Sequence, residues 1–509
     1  MKNILLVNPE FPPIHQSFDF VLPMLEARFI APPLSLLTVA ALIPAGNNLR
    51  LVDMNVKPLT DGDLAWADVV LITGIGAQAV SMLKTARRCK EHSPDIRLIM
   101  GGLHVSVFSE KFLQYADAIV CGESEAVMGQ LFGDIESGSI HKFYNEKLEC
   151  VDIHRSPCPM FKLVNPADYL IWTMQYSRGC PHNCEFCELP RFYGHRPREK
   201  SVDQFVAEMT AVYDLGFRGT IMLGDDNFHR TPHVRDLLPA MTAWQRARGY
   251  PFMFFTQTDI RIADEPELMD RMAEAGFTSL QIGLESPSPD ALKSMGKVHN
   301  IGIDLVDAVR TIHSHGLEVQ PAMLLGMDGD PPNIGDLQFE FLQKAGTPRS
   351  MISVLRVFKG SRLYATMEKE GRILCAEPSG DQTGDFVLNY KARMGNDRLL
   401  DEAVKLLKRL YEPRNYFQRC WICLGTVRRL DFQKHPISRR SLRWVWNYLK
   451  QSRAPLYNAH FVLLLLRTLL LKPRKLKMGI ALGMLGYHYN KMASRARVGV
   501  REPVKTEVE

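Results

Sequence analysis

Three cysteines fall within eight residues of the stretch QYSRGCPHNCEFCELPRFYGHRPREK (175–200): Cys180, Cys184 and Cys187, spaced C-x3-C-x2-C. Thiolates placed this way can grip a soft metal or an iron–sulfur cluster, because the deprotonated thiol is the ligand. Structural zinc would need a fourth ligand, which His182 or His195 could supply. A four-iron cluster ordinarily takes four cysteines, so three leave one iron without a protein ligand. The triplet follows the candidate strand YLIWTMQYS (169–177). Loops after barrel strands are where catalytic groups collect, and that placement favours the cluster over a zinc staple.

The elements that must carry this loop show an internal rhythm. SVDQFVAEMTAVYDLGF opens on the capping box Ser201-x-x-Gln204 and sets Val202, Phe205, Met209 and Val212 on one helical face. Helix-to-strand units recur at PELMDRMAEAGFTSLQIGLES (266–286) and DLVDAVRTIHSHGLEVQPAMLLGMD (304–328), each helix ending at a glycine: 216, 276 and 316. Such repeats predict a parallel barrel or part of one.

Upstream, NILLVNP (3–9), LRLVDMN (49–55), ADVVLITG (67–74), IRLIMGG (96–102) and ADAIVCGE (116–123) are apolar runs closing on Gly, Asp, Asn or their neighbours. They predict a doubly wound parallel sheet, whose ligands bind beyond the carboxyl ends of the strands. Gly74, Gly76, Gly101, Gly102 and Gly122 sit at those ends, where backbone can approach a large ligand closely or where a turn simply needs glycine. No G-x-G-x-x-G fingerprint opens a helix here, which argues against a dinucleotide site.

At 509 residues the chain should form two to four domains, and 46% hydrophobic with 23% charged residues is a globular composition. The ten cysteines make no disulfide framework, and MKNILLVNPEFPP has no secretory pattern, so the expected compartment is the reducing cytoplasm. The net charge of +6 conceals an asymmetry: residues 401–509 hold 23 Lys+Arg against 7 Asp+Glu, a balance of +16, leaving −10 for residues 1–400. From about residue 376 the chain reads as helical. Its longest apolar run, FVLLLL (461–466), stops at Arg467, far short of the roughly 20 residues a membrane span needs. Apolar patches beside Arg443, Lys450, Arg467, Lys472, Arg474, Lys475 and Lys477, with Trp444 and Trp446, suit peripheral contact with a membrane; a helical cap over the barrel or a dimer face is the plainer reading. Cys420 and Cys423 form a CWIC pair in this helical region and read as packing, and the solitary Cys89, Cys121, Cys150, Cys158 and Cys375 read as structural.

CPHNCEFC resembles the signature of the radical S-adenosylmethionine enzymes, with the aromatic Phe186 before the last cysteine. The resemblance implies that Cys180, Cys184 and Cys187 bind a [4Fe-4S] cluster whose open iron chelates S-adenosylmethionine, and that one-electron reduction yields a 5′-deoxyadenosyl radical. APPLSLLTVAALI (31–43), GGLHVS (101–106) and CGESE (121–125) resemble the Rossmann-like cobalamin-binding domain that precedes many such enzymes. That places His104, Ser106 and Glu123, with the five glycines, among the residues expected near cobalamin. The Asp-x-His-x-x-Gly motif of an axial histidine is absent, and His104, in a later loop, is no replacement for it. GDDNF (224–228) resembles the segment that contacts the methionine part of S-adenosylmethionine, which nominates Asp225 and Asp226. Glu285 in IGLES and the strand AMLLGMDGD (322–330) resemble contacts to its ribose and adenine. The alternatives are that Asp225, Asp226 and Asn227 cap the next turn and that Glu285 caps a helix near Pro287.

In the tail, LYEPRNYFQR and GMLGYHYNKM are similar to the helical extension of cobalamin-dependent hopanoid methylases. Where relatives often carry T-P-x-P-G-T-P-L-Y, this chain has RVFKGSRLY (356–364), so substrate contacts there do not transfer. The fold class implied is α/β: residues 1–140 a Rossmann-like cobalamin domain, 141–168 a linker, 169–375 a radical SAM partial barrel and 376–509 a basic helical domain. The activity implied is methylation of an unactivated carbon on a small apolar polycyclic substrate, a hopanoid-type lipid, with an electron donor such as flavodoxin or ferredoxin and no nucleic acid. The enzyme would be cytoplasmic, with peripheral contact at the inner face of the membrane. Rival readings are methylation of a tetrapyrrole, a bacteriochlorophyll precursor; radical cyclisation or rearrangement; and a zinc-stapled nucleic-acid-binding protein.

Overall fold

The computed structural model describes residues 1–15, 17–376, 386–428, 430 and 439–496. Parts of the expected C-terminal domain (377–385, 429, 431–438 and 497–509) lie outside the described residues. The chain folds as two units. The first comprises Met1–Pro13, Arg28–Pro181 and Glu188–Gly219; the second comprises Ile14–Ala27, His182–Cys187 and the described residues from Thr220 onward.

The first unit is built on six strands: β1 (Asn3–Asn8), β2 (Asn48–Asp53), β3 (Val69–Thr73), β4 (Arg97–Gly101), β5 (Ala118–Val120) and β6 (Phe143–Tyr144). They run parallel in the order β2-β1-β3-β4-β5-β6, with Leu6 of β1 opposite both Leu51 and Leu71. Helices cover both faces of such a sheet, so its strands are apolar on both sides; Ile4 to Val7 have no exposure at all. One face packs Leu5, Val7, Val70, Ile72, Leu98 and Met100 against Met82, Ala86 and Phe112. The expected linker 141–168 supplies β6, a strand too short to leave a periodic trace. This unit also holds β7 (Trp172–Met174) and the antiparallel pair β8 (Ser177–Arg178) and β9 (Arg198–Glu199). The predicted strand 169–177 is therefore broken: Trp172–Met174 is β7, Tyr169 makes a single parallel bridge to Phe29, and Ser177 already belongs to β8.

In the second unit, which takes up β10 (Gly219–Leu223) from Thr220, β10, β11 (Phe252–Thr258), β12 (Phe277–Glu285), β13 (Glu318–Leu325) and β14 (Met351–Val354) lie side by side in chain order. From β11 to β14 every pairing is parallel. A helix precedes each of β11 to β14, as the repeats predicted, and the sheet is a partial (β/α) barrel. The helix Val202–Asp214 begins with the predicted capping box, the Ser201 hydroxyl accepting from Gln204 N–H and the Gln204 side chain accepting from Ser201 N–H. Gly216, Gly276 and Gly316 all have φ near +90°, the left-handed conformation that ends a helix most cheaply at glycine. Beyond the barrel, the helices Asn396–Tyr411, Pro413–Thr426, Arg439–Gln451, Pro455–Leu471 and Leu476–Arg495 form the expected helical region.

Candidate active site

The cysteine triplet begins in the first unit and ends in the second, and each part is anchored within its own unit. Arg178 donates to Glu123 (3.1 Å) and Glu125 (2.7 Å), and Arg198 donates to both oxygens of Glu123 (2.9 Å each). Gly179 follows with φ +102; a Cβ there would lie 2.9 Å from Arg196 O and 3.0 Å from Tyr193 O, so no side chain fits. The Cys180 N–H then donates to Gly194 O (3.3 Å). The geometry just before the first thiol is thus fixed by charge on one side and close backbone packing on the other.

The His182–Cys187 segment is held differently. Glu185 N–H donates to Met295 O (3.0 Å), Leu363 N–H donates to Glu185 O (2.9 Å), and the Glu185 carboxylate pairs with Arg362 (2.8 Å). Arg362 also donates to Asn183 O (2.5 Å). The GSRLY departure from the proline-rich pattern therefore supplies a cation that grips the loop between Cys184 and Cys187. His182 is turned to Asp259, Nε2 to Oδ2 2.7 Å, and its ring stacks on His299 at 3.7 Å. Among the described residues no three His, Cys, Asp or Glu side chains converge as a single bound ion would require. Cys180, Cys184 and Cys187 are partly exposed and in no disulfide.

Next to the second and third thiols lies a buried ion pair that the sequence reading half found. Lys297 Nζ is 2.7 Å from Glu285 Oε1 and 5.9 Å from the centre of the Phe186 ring. Burial pulls the Lys297 pKa down, but Glu285, Cys184 and Cys187 outweigh it and hold the ammonium above the usual lysine range. Glu285 does not cap a helix; Ser288 does that. Its backbone has φ +62, at a register shift between β12 and β13. A non-glycine residue held there is strained, and such strain collects at ligand sites. A Cβ on Gly283 would lie 2.5 Å from Glu285 Oε1 and 2.8 Å from Lys297 Nζ, so the pair occupies the space that glycine leaves. A fixed cation beside two thiols and a soft-ligand triplet in no disulfide fit an anionic thiolate-bound cluster.

Asp225 is fully buried and Asp226 partly so, just beyond β10. The turn that follows gets no side-chain cap from Asn227, which instead exchanges hydrogen bonds with Asp259 (3.0 and 3.2 Å). Asp259 also accepts from Arg230 (3.0 Å) and from Arg261 N–H (2.9 Å). Burial would raise its pKa, but the His182 hydrogen bond, the neighbouring His229, and the Arg230 and Asn227 donors hold it far below the usual carboxylate range. Asp259, Lys297 and His299 were not singled out from sequence, since their partners stand far off in the chain.

At the strand ends of the first unit, chain packing accounts for most of the glycines. A Cβ on Gly74 would meet Met82 Sδ at 2.8 Å, on Gly101 Val120 O at 3.1 Å, and on Gly102 Thr73 Oγ1 at 2.6 Å. Gly122 has φ +61 and lies under Leu148. Gly76 is different: its nearest neighbour would be His104 Nδ1 at 3.4 Å, an ordinary contact. His104 packs on Phe108 and Phe112 (4.9 and 5.8 Å). Ser106 accepts from Gly122 N–H (3.0 Å) and donates to Gly102 O (2.8 Å), tying two strand ends together. Glu123, expected near cobalamin, has its carboxylate engaged by Arg178, Arg198 and Val151 N–H (2.6 Å). Cys89, Cys121, Cys420 and Cys423 are buried, whereas Cys150 and Cys158 are exposed and fill no core.

Residues 174–337 match the radical SAM superfamily, residues 22–132 the B12 binding domain, and residues 361–502 a domain of unknown function. The hopanoid C-2 methylase of Rhodopseudomonas palustris is 30% identical over 425 residues, 82% of this chain and 78% of that protein. The bacteriochlorophyllide d C-12(1)-methyltransferase of Chlorobaculum tepidum is 23% identical over 435 residues, 83% and 88% of the two chains. The fold is that of the radical S-adenosylmethionine methyltransferase TsrM from Kitasatospora setae, solved with cobalamin and a [4Fe-4S] cluster (TM-score 0.57, 16% identity, 72% of this chain and 78% of that one). The cofactors of these matched domains are S-adenosylmethionine with a [4Fe-4S] cluster, and cobalamin. The chain belongs to the cobalamin-binding branch of the radical S-adenosylmethionine superfamily and is an enzyme of its methyltransferase type.

Proposed function

We propose that this enzyme methylates an unactivated carbon of an apolar polycyclic substrate, a hopanoid-type lipid. The observation that carries the reading is the 30% identity to a hopanoid C-2 methylase across 82% of the chain. In this reading residues 1–140 present cobalamin, residues 169–375 hold the cluster and S-adenosylmethionine, and residues 376–509 face the substrate's surroundings. Cys180, Cys184 and Cys187 would ligate the cluster, with Phe186 and Lys297 beside it. Asp225, Asp226 and Glu285 would contact S-adenosylmethionine. Gly76, the strand-end glycine that packing does not require, is the best candidate for close approach to cobalamin, with His104 beside it. When bound, the cluster with S-adenosylmethionine supplies one-electron cleavage able to open an unactivated C–H bond, and cobalamin supplies the methyl group. The protein's part is to hold the thiols, keep Lys297 charged beside them and exclude water. A reductant such as flavodoxin or ferredoxin completes the system.

A tetrapyrrole substrate is the second reading, favoured by the similarity to two bacteriochlorophyllide d methyltransferases at 23% and 22% identity. The test is anaerobic reconstitution with iron, sulfide and methylcobalamin, followed by assay with a hopanoid extract and with a bacteriochlorophyllide, wild type against Cys184→Ala. Cysteine-dependent 5′-deoxyadenosine and S-adenosylhomocysteine with a hopanoid heavier by one CH2 establishes the first reading. The same products with a heavier pigment alone establish the second. Deoxyadenosine without S-adenosylhomocysteine overturns methyl transfer.

A further inference from the structure

The helix Pro455–Leu471 is apolar on nearly every side, a pattern that ordinarily means burial within a core. Yet only one of its faces is covered. Tyr457, Phe461, Leu464 and Thr468 are buried, packed among the neighbouring helices: Phe461 lies against Tyr448 and Phe417, and Tyr457 donates to Gly483 O (2.6 Å). The opposite face carries Leu456, Val462, Leu463, Leu466, Leu469 and Leu470, which are 44–78% exposed. Val462 and Leu466, and Leu466 and Leu470, stand four apart, and Leu456 and Leu463, Val462 and Leu469, and Leu463 and Leu470 stand seven apart, so they form one continuous stripe. The adjacent helix Arg439–Gln451 repeats the pattern, with Leu442, Trp446 and Leu449 at 48–58% exposure. The two helices are joined by the Tyr448–Phe461 contact and by Tyr448 donating to Asn458 (2.7 Å).

Charge says what covers this face. Residues 439–496 contain 12 Lys+Arg and no Asp or Glu. The cations border the leucines: Arg467 and Lys472 lie 4.8 and 4.2 Å from the centre of the Trp421 ring, and Lys450 lies 4.9 Å from that of Trp446. Two copies of this face brought together would set cation against cation. A surface that is negative outside and apolar beneath matches it on both counts. No helix among the described residues is long and apolar enough to cross a membrane, so the helix would lie in the plane of the interface.

We propose that the outward faces of Pro455–Leu471 and Arg439–Gln451 form a docking surface for an anionic lipid bilayer. The leucines enter the acyl boundary, Trp446 sits at the headgroup level, and the bordering lysines and arginines meet lipid phosphates. This inference does not depend on the identity of the methylated substrate.

The test is flotation of the full-length protein with vesicles of phosphatidylcholine alone or mixed with phosphatidylglycerol. The wild type should float with the anionic vesicles, with affinity falling by about tenfold or more at high salt. Leu466→Glu/Leu470→Glu alters exposed side chains only and should lower anionic-vesicle binding by about tenfold or more. It should leave circular dichroism and iron content as in the wild type. Should that variant misfold, Lys450→Glu/Arg467→Glu, at two of the bordering cations, tests the charge half independently and should also weaken binding. Equal flotation with both vesicle types, or wild-type flotation by either variant, overturns the proposal. A wild-type dimer that the leucine variant dissociates, with no vesicle binding, overturns it in favour of a second copy.

Discussion

His182, the second residue after the first cysteine of the triplet, stands 2.7 Å from Asp259 at the end of β11 (Nε2 to Oδ2). Asp259 is the acceptor for His182, Asn227, Arg230 and Arg261 N–H together. One buried carboxylate therefore fixes the loop between two thiols to the strand end of the barrel. His299 closes the far side of the His182 ring by stacking.

Asp259→Ala should cost about 3 kcal/mol of stability, because it strands buried donors that share this one carboxylate. His182→Ala removes one partner only and should cost nearer 1 kcal/mol. The distinguishing readout is iron per chain after anaerobic reconstitution. Both variants should retain less than the wild type, and His182→Gln, whose amide can still donate to Asp259, should recover most of it. Wild-type iron content in His182→Ala would show that the contact positions nothing.

The ion pair between Lys297 and Glu285 makes a sharper claim. Lys297→Met leaves the Glu285 carboxylate buried, unpaired and on a strained backbone, so a loss of about 3 kcal/mol is expected. Glu285→Gln keeps the shape and a weaker hydrogen bond. It leaves the Lys297 ammonium without its counter-charge, so a smaller loss of about 1–2 kcal/mol is expected, together with S-adenosylmethionine binding at least about tenfold weaker if the carboxylate contacts that cofactor. Equilibrium binding to the reconstituted protein, read alongside the melting temperature, separates the two effects.

Much of this was legible beforehand because it rests on local pattern. Parallel strands buried on both faces are continuous apolar runs, so β1 to β5 stand out, as do the glycine-ended helices and the Ser201–Gln204 box. The two-residue β6 has no period to detect. Asp259, Lys297 and His299 escaped notice for a different reason: each acquires its role from a partner that only the fold supplies. His182 and Asp259 are 77 positions apart. Glu123 shows the converse. The resemblance of CGESE to a cobalamin-domain segment nominated it, and the fold adds that Arg178 and Arg198, 55 and 75 residues onward, engage both of its oxygens.

Arg362 tests whether the departure at RVFKGSRLY is compensated locally. Its pair with Glu185 is half exposed, so Arg362→Ala should change global stability by less than about 1 kcal/mol. Its second bond, to Asn183 O, bears on the cysteine loop itself. Iron release to a chelator should accordingly quicken in Arg362→Ala while the melting temperature barely moves. Arg362→Lys keeps the charge but not the two-pronged geometry, and should fall between the two.

His15 and His488, both in the second unit, are buried together: His488 Nε2 is 3.0 Å from His15 O, and the His15 ring stacks on Tyr489 at 4.5 Å. Around them lie Phe18, Phe20, Tyr411 and Tyr489. Burial, with the neighbouring His488, lowers the pKa of His15 from 6.5 to about 3; burial lowers that of His488 to about 4, against the pull of the backbone carbonyls of His15 and Ile14. Above pH 6.5 both imidazoles are neutral whether folded or not, and the stability they allow is fully present. Below it the unfolded chain takes up protons that the folded one refuses, so stability falls as pH drops from 6.5 towards 4. Each imidazole should contribute about 1.4 kcal/mol of loss per pH unit across that window. His15→Phe keeps an aromatic ring against Tyr489 and removes one titrating group, so its denaturant midpoint should fall less steeply with acid than that of the wild type. Parallel profiles for the two proteins would mean that His15 takes up its proton equally well in the folded state, and that its burial does not exclude the charge.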